Sequence, residues 1–370
     1  MSMVRSVSIL SLSILALAAC AGAVSVSDRP CPCADGWVCC PGANVCASSE
    51  AACGATKGAD AGGLAPDAQS SDPGDLPTTR RLATAQSARA MIADETHVYW
   101  QNVDGQVVRA KIDSGEIETM AGGGQLSAGS PCALALASGT VYSAGDFVVH
   151  ATDVHSNGDG TFGTSSEHAA EGIHTTNGLA ADADQLYVAE EGATASPPSG
   201  AIIAVALTPS HPRHYVSNGL VSPSRLALDA TSVYWVTGDG AVQSAPKKTS
   251  GSAVQAQTLP AIDSSQVRVV ATGSGRLFIG TGISVVSTDT AGGSQRTLAT
   301  DAQGLYPTAF ATDGTTLWWA ASATISKVAT TGGSSSVVAQ ETDGSIVGFA
   351  ANAKYVFWSN SKNEVWVAPR

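Results

Sequence analysis

An apolar stretch containing an aromatic returns seven times along this 370-residue chain: VYW from 98, VYS from 141, LYV from 186, VYW from 233, LFI from 277, LWW from 317 and VFW from 356. Successive starts are 39 to 47 residues apart. A steady period of this length means that one small unit is repeated, and that each copy hides its apolar surface by stacking on the next. The order inside the unit is constant. An apolar strand and a turn precede the marker, as in SRLALDATSVYWV (224–236) and PTAFATDGTTLWWA (307–320). A short hairpin and a third strand follow, as in GQVVRAKI (105–112), GAVQSAP (240–246) and NEVWVAP (363–369). A polar, Ser/Thr-rich fourth strand ends the unit, as in SQRTLAT (294–300) or SSSVVAQ (334–340). Four strands at this period build a β-propeller blade. Charged residues make up only 14% of the chain and glycines number 39, which suits short strands and tight turns. The expected fold class is all-β, a seven-bladed β-propeller of four-stranded blades over residues 79–370.

The seventh unit stops at Arg370, directly after its third strand. Far upstream, TTRRLATAQ (78–86) resembles SQRTLATDAQ (294–303), a fourth strand and the step into the next blade. Residues 79–85 are therefore expected to complete the last blade. Closing the ring in this way removes the open edges that invite edge-to-edge association. A six-bladed ring with one unit outside it is the alternative, and it would leave both ends unpaired.

NGLAADADQLYVAE (177–190), PSRLALDATSVYWV (223–236) and VYWQNVDGQVVRAKI (98–112) make the units similar to the NHL and YWTD classes of propeller. The resemblance spans residues 80–370 and implies a fold, not a function. Seven units, the loss of Thr-Asp after Tyr-Trp, and the absence of long basic stretches depart from the receptor-type pattern. No partner is carried over from it.

Ahead of the repeats, Arg5 precedes an uncharged run from Ser6 to Ala19. That length suits a signal-peptide apolar region and is too short to cross a bilayer of ~30 Å. Leu17-Ala18-Ala19-Cys20 resembles the lipobox of bacterial lipoproteins. The resemblance implies acylation of the Cys20 thiol, cleavage just before it, and export. Ala21 in place of Asp implies a lipid anchor in the outer membrane of a Gram-negative-type bacterium. The competing reading is an ordinary secretory signal cut after Ala23. On the lipoprotein reading, residues 1–19 are the signal and 20–30 a lipidated tether.

Cys31, Cys33, Cys39, Cys40, Cys46 and Cys53 crowd 23 residues. So short a segment buries no core of its own, and in an exported chain it reads as a disulfide module over 31–53 with the pairing open. Close thiolate pairs also suit zinc, but an oxidising compartment and the adjacent Cys39 and Cys40 argue against it. Cys132, in SPCALALASG, is expected to be a buried free thiol. Residues 54–78 are rich in Gly, Ala, Asp, Pro and Ser, which is the composition of a flexible linker.

Four positions before the markers stand Asp94, Ala137, Asp182, Asp229, Gly273, Asp313 and Asn352. A ring of carboxylates suggests calcium or substrate. Each also precedes a tight turn, where Asp or Asn caps its own backbone, and this explanation needs no ligand. The second unit carries HATDVHSNGDGTFGTSSEHAAEGIH (150–174). Its Asp153, His155, Asn157 and Asp159 resemble the middle of a calcium loop, but His155 and Ser166 fall where the first and twelfth ligands belong. A long loop between the third and fourth strands is the preferred reading, with calcium or a transition metal as the alternative and no other cofactor expected.

A net charge of −12 and a pI near 4.9 speak against a nucleic-acid partner. Signature motifs of hydrolases, zinc proteases and nucleotide binders are absent. Two classes survive: a membrane-anchored, monomeric scaffold presenting a propeller face to an envelope protein or glycan, and a lactonase- or lyase-like enzyme working in the funnel. Crowding of the histidines in outer hairpins favours binding. The third unit's long hairpin AEEGATASPPSGA (189–201), with Glu190 and Glu191 as exposed carboxylates beside Pro197 and Pro198, is the expected partner contact for a basic surface.

Overall fold

The computed structural model describes residues 38–40, 45–47, 79–120, 133–145, 148–156, 162–171, 173, 176–192, 199–208, 210–247, 250–260, 267–300, 305–342 and 344–370. Seven four-stranded antiparallel sheets account for residues 80–369, and no helix occurs among the described residues. Blade 1 covers residues 88–119, blade 2 134–171, blade 3 176–220, blade 4 224–258, blade 5 269–300 and blade 6 307–340. Blade 7 takes three strands from 346–369 and its fourth from Arg80–Ala83. The first strands of successive blades, from Ala88–Ala93 to Ile346–Ala351, pack one on the next in a circle that closes on itself. These strands line the axis, and the polar fourth strands form the rim.

Each marker sits on a second strand, sandwiched between the neighbouring blades. In all seven units its three residues are buried, and Trp100, Trp235, Trp319 and Trp358 are fully so. Alternation along the strand sends neighbouring side chains to opposite blades. Tyr99 packs with Val141 of blade 2, while Trp100 packs with Phe357 and Val365 of blade 7. The same rule elsewhere gives seven apolar clusters, one for each contact between adjacent blades. Fully burying one such side chain stabilises by roughly 1.5–3 kcal/mol. The core is thus a set of seams around the ring rather than one central mass.

The closing strand pairs as the sequence echo requires. Arg80 lies opposite Val367, Arg81 opposite Trp366 and Ala83 opposite Val365. Leu82 and Ala83 are buried in the seam between blades 7 and 1. Gln86 N–H then donates to the Asn363 carbonyl at 2.9 Å, which carries the chain on towards blade 1.

Blade 2 departs from expectation. In place of a long loop, Val148–Ser156 and Phe162–Glu171 form an extended hairpin with several register shifts. Between residues 31 and 53, Val38–Cys40 pairs with Val45–Ala47, which sets Cys39 opposite Cys46. Cys20, Cys31, Cys33, Cys53 and Cys132, the signal run and the linker lie outside the described residues.

Candidate functional site at the axial mouth

Antiparallel pairing puts the start of each first strand beside the end of the second: Ala88 faces Asn102, Thr176 faces Glu190 and Ile346 faces Asn360. The links between blades and the hairpins between second and third strands therefore share one face, here the upper face. The turns between first and second strands form the lower face.

The lower-face turns show what the recurrent Asp and Asn do. The Asp94 carboxylate accepts from the backbone N–H groups of Thr96 and His97, both at 2.7 Å, and from the Tyr99 hydroxyl at 2.6 Å. Asp229 does the same with Thr231, Ser232 and Tyr234. Asp182, Asp313 and Asn352 cap their own turns likewise. Partial burial pushes the Asp94 and Asp229 carboxyls up, but the donated hydrogen bonds outweigh it and hold both below the ordinary carboxylate range. Burial, followed by the Asp229 hydrogen bond, pushes the Tyr234 phenol up to about 12. These carboxylates are structural caps whose donors occupy them.

The upper face has a different chemistry. In five blades a bulge interrupts the first strand near its start. In blade 4, Ser224 faces Val236 and Ala227 faces Tyr234, so Arg225 and Leu226 stand opposite Trp235 alone. The corresponding bulge residues are Arg89, Asn177, Thr308 and Val347 in blades 1, 3, 6 and 7. Bulges re-aim side chains next to functional sites. Here the residue before is buried in a seam (Ala88, Thr176, Ile346), whereas Arg225 and Thr308 are open to solvent at the axis. Arg268 occupies the equivalent place in blade 5 and is also exposed.

Arg225 is wet, yet desolvation pulls its guanidinium below the ordinary arginine value, and the same holds for half-buried Arg89. Desolvation is the only cause acting on either group, and no carboxylate offsets it among the described residues. The seven inner strands contain no Asp, Glu, His or Cys at all.

The upper-face loops beside these arginines carry apolar side chains and are tied down. Val221, Ile283 and Tyr306 are 44, 52 and 47% exposed. The Gly282 carbonyl accepts from Leu305 and Tyr306 N–H at 2.8 and 3.1 Å, and Gly238 N–H donates to Val221 at 2.8 Å. The Arg268 guanidinium lies 5.0 Å from the Tyr306 ring centroid. Ser222, Arg225 and Tyr306 hold φ values of 39°, 55° and 43°. Left-handed backbone at non-glycine residues costs roughly 1–3 kcal/mol each and gathers at binding sites.

Several residues singled out in the sequence stand elsewhere. Glu190 is only 6% exposed at the end of its strand, not the exposed carboxylate expected, because the strand continues to it and pairs it with Thr176 and Ala201. Glu191 is half-buried, with the Ser222 hydroxyl 3.5 Å from its carboxylate. Asp153 and His155 meet at 2.9 Å on the exposed third strand of blade 2, while Asn157 and Asp159 lie outside the described residues. Among the described residues no three His, Cys, Asp or Glu side chains are grouped so as to hold a metal ion. The axial arginines carry no signature in the sequence, where SRLAL (224–228) reads as an ordinary strand.

No protein-family profile matches the chain, and no curated protein matches its sequence. Solved structures do match its shape. It resembles the β-propeller domain of Cps50 (Swd1) from Myceliophthora thermophila, with a TM-score of 0.60 and 10% identity over 79% of this chain and 99% of that one. YCF48 bound to D1 peptide gives 0.59 at 9% identity, covering 80% and 98%. A catalytically inactive virginiamycin B lyase from Staphylococcus aureus with quinupristin gives 0.58 at 11%, covering 79% and 99%. Likeness at this level of identity establishes the propeller fold.

Proposed function

We propose that the chain is a lipid-anchored, extracytoplasmic binding propeller that offers its upper face to a protein or glycan of the cell envelope. The observation that carries this reading is the make-up of the funnel wall. Acid–base or nucleophilic chemistry needs convergent carboxylates, histidines or thiols, and the inner strands bring arginine, asparagine and threonine instead. Those are groups that recognise.

The fold accommodates either use. One neighbour is a propeller bound to a peptide, and another is a lyase bound to quinupristin. The choice therefore rests on the residues of this chain. In the proposal Cys20 carries the anchor in the outer membrane, residues 31–53 form a disulfide module, and residues 54–78 hold the propeller clear of the bilayer. The NHL/YWTD kinship of the units and the monomeric state belong to the same reading. Glu191, at the neck of the blade 3 hairpin, is the carboxylate offered to a basic partner, with Glu190 as its buried support. No cofactor is assigned, and Asp153 and His155 are the pair from which calcium would be sought.

Cross-linking of the intact lipidated protein in envelope extract tests the proposal. A partner captured by the native chain and lost with Ile283→Asp on the upper face, but kept with Lys354→Glu on the lower face, supports it. Equal capture by both variants, or none by the native protein, overturns it.

A further inference from the structure

We infer that the upper mouth of the funnel binds an organic anion. Its carboxylate or phosphate group sits on Arg225 and Arg268, with Arg89 on the opposite wall, and its apolar body lies on Tyr306 and Ile283. This deepens the binding role proposed above and rests on it.

Four observations converge. The chain carries 31 acidic residues against 19 basic ones, yet its axial strands contain arginine and no acid. Guanidinium groups brought together at one end of the axis add their positive potential, and their planar forks match carboxylate and phosphate oxygens two at a time. Among the described residues, Arg89 and Arg225 are not absorbed by structural ion pairs, unlike Arg81 with Glu364 or Arg109 with Glu118.

Both bulges are built by the same device in the preceding blade. A Cβ at Gly178 of blade 3 would stand 3.0 Å from the Arg225 backbone nitrogen, and one at Gly348 of blade 7 would stand 2.7 Å from the Arg89 carbonyl oxygen. The two glycines occupy the same register position, the first paired residue after the bulge. At Gly348 a Cβ would collide with the following blade's bulge, and at Gly178 it would crowd it, so the missing side chain eases the close approach at both. The chain thus twice gives up a side chain at the axis, each time beside an arginine.

The rim supplies the remainder of the ligand's description. Tyr306 stacks under Arg268, which orients the guanidinium while leaving its edge free to donate. Ile283 and Val221 add exposed apolar surface on the same face. Three arginines around one closed mouth suit a single anionic group. A nucleic-acid backbone would require a cationic track along the surface.

The test is calorimetric titration of the full mature protein with octanoate, octyl phosphate and octylammonium. Both anions share the recognising chemistry, and the tighter of the two names the head group. At least one anion should bind, more weakly as salt rises, and octylammonium should not. Arg225→Gln and Arg268→Gln should each weaken the anion about tenfold or more, and Arg213→Gln on the outer strand of blade 3 should leave it unchanged. If Arg225→Gln melts early, Arg225→Lys and Arg268→Gln carry the test, since each retains the bulge backbone or lies outside it. Equal binding of octylammonium, unchanged affinity in both Arg225 and Arg268 variants, or no binding of either anion at millimolar concentration overturns the inference. Any of these with partner capture intact leaves the binding role standing, whereas failed capture by the native protein removes that role separately.

Discussion

Arg81 and Glu364 stand 283 positions apart in the chain and meet at 2.7 Å across the seventh sheet. The pair marks the junction where the first strand of the propeller joins the last three. It does little to hold that junction. Arg81 is 51% exposed, and such pairs contribute about 0–1 kcal/mol.

Leu82, buried in the seam between blades 7 and 1, is the residue that fastens the strand. Leu82→Ala should cost about 2–5 kcal/mol in denaturant unfolding, and Arg81→Ala less than about 1 kcal/mol. Deleting residues 78–86 should lower the melting temperature more than either, and far more than deleting 21–77. A melt unchanged by the shorter deletion would contradict closure.

Acid should loosen the lower face. Asp94 and Asp229 have folded-state pKa values below their unfolded value of about 3.9. The unfolded chain therefore binds more protons in this range, so the caps stabilise fully above about pH 5 and lose that effect as pH falls through the unfolded value towards the folded one. Asp94→Asn with Asp229→Asn should cost about 1 kcal/mol per site at neutral pH and flatten the decline of stability between about pH 5 and 3. An equally steep decline in the double variant would assign the acid sensitivity to other groups.

Gly348 should tolerate no side chain. A Cβ there meets the Ser359 hydroxyl at 2.6 Å and the Arg89 carbonyl oxygen at 2.7 Å. Gly348→Ala should destabilise by about 1–3 kcal/mol through overpacking. Thermal denaturation decides this, and a neutral Gly348→Ala would show that the blade 1 bulge relaxes freely.

Cys20→Ser should move the protein from the membrane fraction to the soluble periplasmic fraction and abolish labelling by a fatty-acid analogue. Membrane retention without label would refute lipidation.

The ring was legible because its seams leave an alternating signature. In VYW, LWW and VFW, adjacent large side chains serve opposite blades, so each second strand must be apolar on both faces, and that pattern survives in a bare sequence. The closing strand was legible for a related reason: Arg80–Ala83 does the same work as Arg296–Thr300 and looks like it. The blade 2 hairpin was not, since HATDVHS and FGTSSEHAAE alternate weakly between polar and apolar residues and give no period to read. Glu190 misled because a charged residue beside a Gly- and Pro-rich stretch looks like loop. The arginine collar was hidden more deeply. A bulge is a mismatch of two residues against one, visible only when both strands are laid side by side, and SRLAL by itself reads as an unbroken strand.

Ring closure also fixes an order in time. The strand Arg80–Ala83 is made before any blade, and its partner Val365–Pro369 follows some 283 positions later. At synthesis rates of about 5–20 residues per second, that is a wait of roughly a quarter of a minute to a minute. Six blades can stack as they emerge, each on the one before, while this first-made strand waits. Pairing over so long a loop is the slow step of such a topology. Until Val365–Pro369 has been made, Leu82 has no seam to enter.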